Sequence, residues 1–241
     1  MVHLLSTVIW LLILSPFGFS IQPETVQNLY QILPKFKFKS IGIKETLEES
    51  DILKDYLYHW KPPGELNIEF FEIYSKPVTY GNYISPLDCL EPPVEIEFVS
   101  FFSLSPNFVN ELYTLVLNGV DSDGFETCQA IWVNIPFNDE NYEIIEHVNG
   151  KESFKTKLDL RGGDDLMKYY GPRPKSGSGI HQYVFVLFRQ PHGWFPPHKL
   201  KFRENWGSKH PAHHGVVSWA NYYALKPLGI NFFTSSNENL F

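Results

Sequence analysis

His181 is the residue of this 241-residue chain best placed to do chemistry. It follows the turn-rich stretch Gly171-Pro172-Arg173-Pro174-Lys175-Ser176-Gly177-Ser178-Gly179-Ile180 and leads into the apolar run Tyr183-Val184-Phe185-Val186-Leu187-Phe188. Glycine admits positive φ and a close approach to the backbone, whereas proline fixes φ. An imidazole can donate a hydrogen bond and carry charge near neutral pH. A stiff, Gly-lined loop delivering one histidine onto a buried strand is one way to build a site for a small anion or polar ligand. The alternative is an ordinary loop between strands with a satisfied histidine. Ser176 and Ser178 lie close to His181, but no partner base, nucleophile elbow or phosphate-gripping P-loop accompanies them. A hydrolase therefore ranks below a non-enzymatic binding protein.

Three other constellations carry less. Cys89 and Cys128 could form one disulfide in an oxidising compartment or remain two buried thiols, and spacing does not decide between them. His192, His198, His210, His213 and His214 are dense, with an H-x-x-H-H run at the end. Without H-E-x-x-H or paired C-x-x-C they read as loop histidines beside Trp194 and Trp206, not as a metal site. Asp164-Asp165 after Gly162-Gly163 could serve calcium or a turn, and the turn is the expectation.

The elements that must position His181 are strands. With 20 Phe, 13 Tyr, 6 Trp and 18 Pro, composition favours strands and loops over a helical bundle. Leu66–Tyr74 and Val94–Phe102 alternate polar and apolar residues, while Tyr113–Leu117, Ala130–Ile135 and Tyr183–Phe188 are short apolar runs. Val78-Thr79-Tyr80 runs into the turn signal Gly81-Asn82. Glu45–Leu57 has near-helical apolar spacing and ends at Lys61-Pro62-Pro63-Gly64. The pattern predicts a mostly β sandwich with a few short helices. A net charge of −7 argues against a nucleic-acid partner.

The N-terminus bears on location. Leu4–Pro16 is apolar apart from Ser and Thr, and small residues, Gly18 and Ser20, stand at the −3 and −1 positions of a cut after Ser20. This predicts a secretory signal peptide over residues 1–20 and a secreted protein. A leader segment, 21–45, follows, in which Lys35, Lys37, Lys39 and Lys44 interleave with Phe36, Phe38 and Ile41. The folded domain is expected over 46–241.

Taken in order, these motifs resemble the phosphatidylethanolamine-binding protein family. Its signature runs G-P-x-P, a Gly-containing spacer, G-x-H-R-Y and an apolar strand ending F-x-Q. Here it reads Gly171-Pro172-Arg173-Pro174, Gly179-Ile180-His181-Gln182-Tyr183 and Phe188-Arg189-Gln190, with Gln182 where arginine is usual. Tyr80-Gly81-Asn82-Tyr83-Ile84-Ser85-Pro86, Pro92-Pro93-Val94-Glu95-Ile96, Tyr113-Thr114-Leu115-Val116 and Val133-Asn134-Ile135-Pro136 follow the family order. Pro227-Leu228-Gly229-Ile230-Asn231-Phe232-Phe233 matches its closing strand.

The resemblance implies a shallow pocket for phospholipid head groups or other small anions. In the family that pocket uses an Asp of a D-P-D loop, a His before V-N-I-P, the His of G-x-H-R-Y and a C-terminal Tyr. Carried over without a gap, the first acid becomes Gly119 and the second Asp121; a short insertion would instead use Asp121-Ser122-Asp123. The pre-strand histidines become Cys128 and Gln129, and the Tyr position falls near Leu240. The implied ligand set is His181, Tyr183, Gly171, Pro172, Pro174, Asp121 and Gln129: an eroded pocket that needs no cofactor, binds anions weakly and leaves protein contacts as a route to function. A mitochondrial large-subunit ribosomal protein of this fold is the alternative, disfavoured by the signal-like N-terminus, the acidic balance and the lack of basic extensions.

Overall fold

The computed structural model describes residues 63–71, 74–100, 110–137, 142–146, 152–195, 200, 203, 206 and 215–237. All of these lie in the compact unit Ser40–Phe241. The expected signal peptide, the leader, the helix over Glu45–Leu57 and four of the five clustered histidines (His198, His210, His213, His214) lie outside the described residues.

Among the described residues the strands are β1 (Gly64–Phe70), β2 (Lys76–Pro77), β3 (Asn82–Tyr83), β4 (Glu95–Ser100), β5 (Leu112–Val120), β6 (Glu126–Pro136), β7 (Tyr142–Glu146), β8 (Glu152–Lys157), β9 (Asp164–Met167), β10 (His181–Gln190) and β11 (Lys226–Ser235), with one α-helix, α1 (Gly215–Tyr222). They form one sheet in the order β7-β8-β4-β1-β11-β10-β5-β6-β9, with β2 on β1 and β3 on β11. The mostly β expectation holds, and the two layers of the expected sandwich are limbs of this one sheet. Phe137, just past β6, and Phe154 of β8 stand six places apart in the strand order, yet their ring centroids are 6.0 Å apart. The sheet therefore curls until its distant strands share a core.

That curl explains the apolar run in β10. Val184, Val186 and Phe188 point into a cluster closed by α1 through Val216, Val217 and Trp219. Tyr183, Phe185 and Leu187 point into the core enclosed by the curl, with Phe70, Phe98 and Phe233. A strand covered on both faces reads as continuous apolar sequence.

Two family motifs meet behind β10. The Gln190 amide accepts from Thr114 Oγ1 (2.7 Å) and the Asn134 backbone N–H (2.8 Å), and donates to Asn134 Oδ1 (3.0 Å) and the Gly193 carbonyl (2.8 Å). Asn134, at φ +57°, accepts from the Phe195 N–H at 2.6 Å and donates to Phe195 O at 2.9 Å. Together these bonds join β5, β6 and β10 to one another and to the 191–195 loop. The Gly81-Asn82 turn is also as expected, with Asn82 Oδ1 accepting from the Thr79 N–H at 2.7 Å and Gly81 at φ +104°.

Two readings need correction. Asp164 and Asp165 begin the edge strand β9 instead of forming a turn, and Asp164 Oδ2 accepts from Asn134 Nδ2 at 2.8 Å. A short edge strand tolerates acids that a central strand would not. Cys89 and Cys128 are free and buried. Cys128 packs in the α1-side cluster and Cys89 in the enclosed core, so the sheet lies between them. Burial pushes both thiols up to about 12, aided at Cys89 by the neighbouring Asp88 charge and opposed at Cys128 by Arg203.

Candidate binding site

Antiparallel pairing sets Tyr183 of β10 opposite Gly119 of β5. Between β5 and β6 the register jumps from Leu117–Ala130 to Asn118–Cys128, which leaves Gln129 as the extra residue of a β-bulge. Bulges re-aim side chains, and this one turns Gln129 toward the same point. A Cβ at Gly119 would lie 2.9 Å from Gln129 Nε2 and 3.2 Å from Tyr183 Cε1. An aspartate there would have to displace the Gln129 amide.

The bulge is itself held. Arg203 donates through Nη1 to the carbonyls of Cys128 (3.0 Å) and Gln129 (2.8 Å), and through Nη2 to that of Lys168 (2.6 Å). The Cys128 N–H returns a bond to Arg203 O at 2.8 Å. Gln129 is 6% exposed, and its Oε1 has no hydrogen-bond partner among the described residues.

The Gly-Pro loop packs on the other side. Gly171, Pro172 and Pro174 are buried. A Cβ at Gly171 would run into the Cys89 carbonyl, so only glycine fits. Tyr169 donates its hydroxyl to that carbonyl at 2.6 Å, and its ring stacks on Trp132 at 6.1 Å. The Tyr183 ring stacks on Phe233 at 5.3 Å, and its hydroxyl accepts from the Arg173 backbone N–H. Burial holds the Tyr169 and Tyr183 hydroxyls well above the usual phenol range, with the neighbouring Cys89 contributing. The cluster of Gly119, Gln129, Tyr183, Tyr169 and Cys89 is thus neutral throughout.

His181 and Asp121 sit at its edge with other duties. Ser178 Oγ donates to the Lys175 carbonyl at 2.7 Å, and His181 Nε2 lies 2.8 Å from the same oxygen. A carbonyl can only accept, so the serine proton is committed there and His181 Nε2–H is the donor to Ser178. Ser178 therefore has no proton to give the imidazole and is not a nucleophile activated by it. Asp121 Oδ1 accepts from the N–H groups of Asp123 (3.0 Å) and Phe125 (2.8 Å), closing the β5–β6 turn. It is Gly119, not Asp121, that lies against Gln129 and Tyr183.

The fold thus brings together Gly171, Pro172, Pro174, Tyr183 and Gln129 and diverts Asp121 to a turn. Sequence reasoning missed Tyr169 and Arg203, and read Cys89 only as a disulfide half or buried thiol. Among the described residues no three His, Cys, Asp or Glu side chains converge where a metal could sit.

A curled β-sheet presenting a neutral cluster beside a Gly-Pro loop defines a binding-protein scaffold. Residues 75–233 match the family described as phosphatidylethanolamine-binding protein, and the chain belongs to that family. It is 29% identical over 212 residues to the carboxypeptidase Y inhibitor of Saccharomyces cerevisiae, covering 80% of this chain and 94% of that one. The crystal structure of carboxypeptidase Y inhibitor complexed with its cognate proteinase superposes with a TM-score of 0.67 at 26% identity, covering 85% of this chain and 98% of that chain. A phosphatidylethanolamine-binding protein from Plasmodium vivax shares the fold, with a TM-score of 0.55 at 17% identity over 80% of this chain and 97% of that chain.

Proposed function

We propose that this protein is a secreted, non-enzymatic binding module that acts by contact with a protein partner, and that its pocket holds anions only weakly. The carrying observation is the neutrality of the cluster around Gly119, Gln129 and Tyr183. A dianion there would meet the partnerless Gln129 Oε1, while the nearby Arg203 is spent on three carbonyls and His181 Nε2 is engaged by Ser178. Each charge-assisted hydrogen bond absent from such a site removes roughly 1.5–3 kcal/mol, about tenfold or more in affinity. A proteinase is the partner class that the likeness to a carboxypeptidase inhibitor supports.

Titration with phosphorylethanolamine and with phosphatidylethanolamine vesicles tests the pocket. Weak binding, changed little by His181→Ala, is expected; micromolar binding abolished by that substitution would overturn the reading. Inhibition of carboxypeptidase Y by the purified protein tests the partner class, and an inert protein in that assay counts against it. Secretion rests on the apolar Leu4–Pro16 stretch and the small residues before position 21. N-terminal sequencing of protein from culture medium should begin at Ile21, and recovery of an intact Met1 inside cells would defeat it.

A further inference from the structure

From Leu166 to Ile180 the chain carries Lys168, Arg173 and Lys175 and no acid, although its net charge is −7. None of these three side chains makes an ion pair among the described residues. Their setting is rigid. Pro172 and Pro174 are buried on either side of Arg173, whose own N–H is held by the Tyr183 hydroxyl. The Arg173 guanidinium lies 4.6 Å from the Tyr170 ring centroid, and Arg203, locked onto three carbonyls, lies 5.4 Å from it. A guanidinium stacked on a ring keeps its N–H edges directed outward, in the planar fork that fits a carboxylate. Exposed apolar side chains lie in and beside the strip: Tyr170 is 41% exposed, and Leu90, whose backbone lies against Gly171, is 46% exposed.

We infer that the strip Tyr170–Lys175 is a docking surface for an acidic segment of a protein partner, with Arg173 taking a carboxylate and Lys175 reinforcing it. This rests on the reading that the protein acts by protein contact and names the chemistry of that contact. Rigidity favours a peptide, because little conformational entropy remains to be lost on binding. An anionic membrane is the poorer occupant: surface recruitment uses clusters of roughly four to eight cations, more than this strip holds, and the acidic chain is repelled.

The test uses the full chain and a fluorescein-labelled peptide of alternating Glu and Leu, followed by anisotropy at low and physiological salt. Saturable binding is expected, weakening with salt. The double variant Arg173→Glu, Lys175→Glu should bind about tenfold or more weakly, since rim charges act through screened Coulomb attraction. Arg173→Lys keeps the charge without the fork and should fall between, with Lys175→Glu alone as a variant that leaves the Tyr170 stack intact. Equal binding of the matching Gln–Leu peptide, wild-type affinity in the double variant, or saturable binding only to phosphatidylserine vesicles overturns the proposal. Carboxypeptidase Y inhibition by the wild-type chain is measured alongside. Absent inhibition with Arg173-dependent peptide binding defeats the proteinase reading alone, while inhibition that persists in a double variant indifferent to the peptide defeats the surface alone.

Discussion

Substituting Glu126 by Gln should destabilise the protein by about 2 to 3 kcal/mol, with the damage centred on α1. Glu126 is 1% exposed, and its carboxylate accepts from Asn118 Nδ2 (2.6 Å), the Gly215 N–H (2.9 Å) and the Val216 N–H (3.0 Å). It therefore caps the helix from a neighbouring strand, placing an anion where the backbone dipole favours one. A carboxamide of the same shape cannot accept at both oxygens. With its oxygen at the Oε2 position it keeps Asn118 and Val216 as neutral bonds and sets an NH₂ against the Gly215 N–H. Reversed, it opposes two donors, and turning Asn118 to compensate would cost the Trp206 Nε1–H bond to Asn118 Oδ1, now 2.8 Å. One charge-assisted bond lost and two weakened come to about 3–5 kcal/mol, and relief of the buried charge offsets part of that. Urea unfolding followed by tryptophan emission should show the midpoint falling by about 1 M at unchanged m-value. Amide exchange should quicken at Gly215 and Val216 before the central strands. A midpoint within about 0.2 M of wild type would refute the reasoning, because three partnered donors on a buried charge cannot be that insensitive.

Further outcomes are expected. Cys89 and Cys128 should not react with Ellman's reagent in the native protein. The folded chain keeps both thiol protons up to about pH 12, where the unfolded chain has already released them. Stability should therefore be flat at neutral pH and fall as pH rises from the ordinary thiol range toward that value, by up to about 1.4 kcal/mol per pH unit for each thiol. Urea midpoints measured below the tyrosine range, compared with those of Cys128→Ala, check this, and an unchanged slope in the variant contradicts it. Nitrogen-15 NMR should find neutral His181 protonated at Nε2; the Nδ1–H tautomer would contradict the bond to Ser178. Gln190→Leu should cost about 2–4 kcal/mol, because it strands the Asn134 N–H and the Thr114 hydroxyl in the interior, and protease sensitivity should rise at the 191–195 loop.

What sequence could show followed from where water is. The run Tyr183–Phe188 betrayed a strand buried on both sides, and Gly81-Asn82 a turn that needs positive φ. β7 and β8 stayed hidden because their solvent face carries charge: Lys155 pairs with Glu143 at 2.9 Å and Lys157 with Glu95 at 2.6 Å, so neither strand looks apolar. α1 was illegible for another reason. Its sequence GVVSWANY begins with glycine and two β-branched residues, and the cap that starts it is Glu126, far away in the chain. The Gln129 position was reachable through the family resemblance, but its convergence with Gly119 and Tyr183 depends on a one-residue bulge that no pattern announces.

The retained motifs and the residues around Gly119 answer to different physical demands, so one says nothing about the other. Asn134 and Gln190 are the polar residues of V-N-I-P and F-x-Q, and in this fold they satisfy each other and the 191–195 loop. Losing either strands buried donors, so fold stability alone favours keeping them. Gly119 and Gln129 face the opposite constraint. A glycine beside a buried amide leaves no buried charge to stabilise, although Gln129 Oε1 is without a hydrogen-bond partner among the described residues. A family signature held by packing therefore persists whether or not the site beside it keeps its chemistry. Function is then better sought at Arg173 and Lys175, cations with no ion pair among the described residues, than where the motif is most complete.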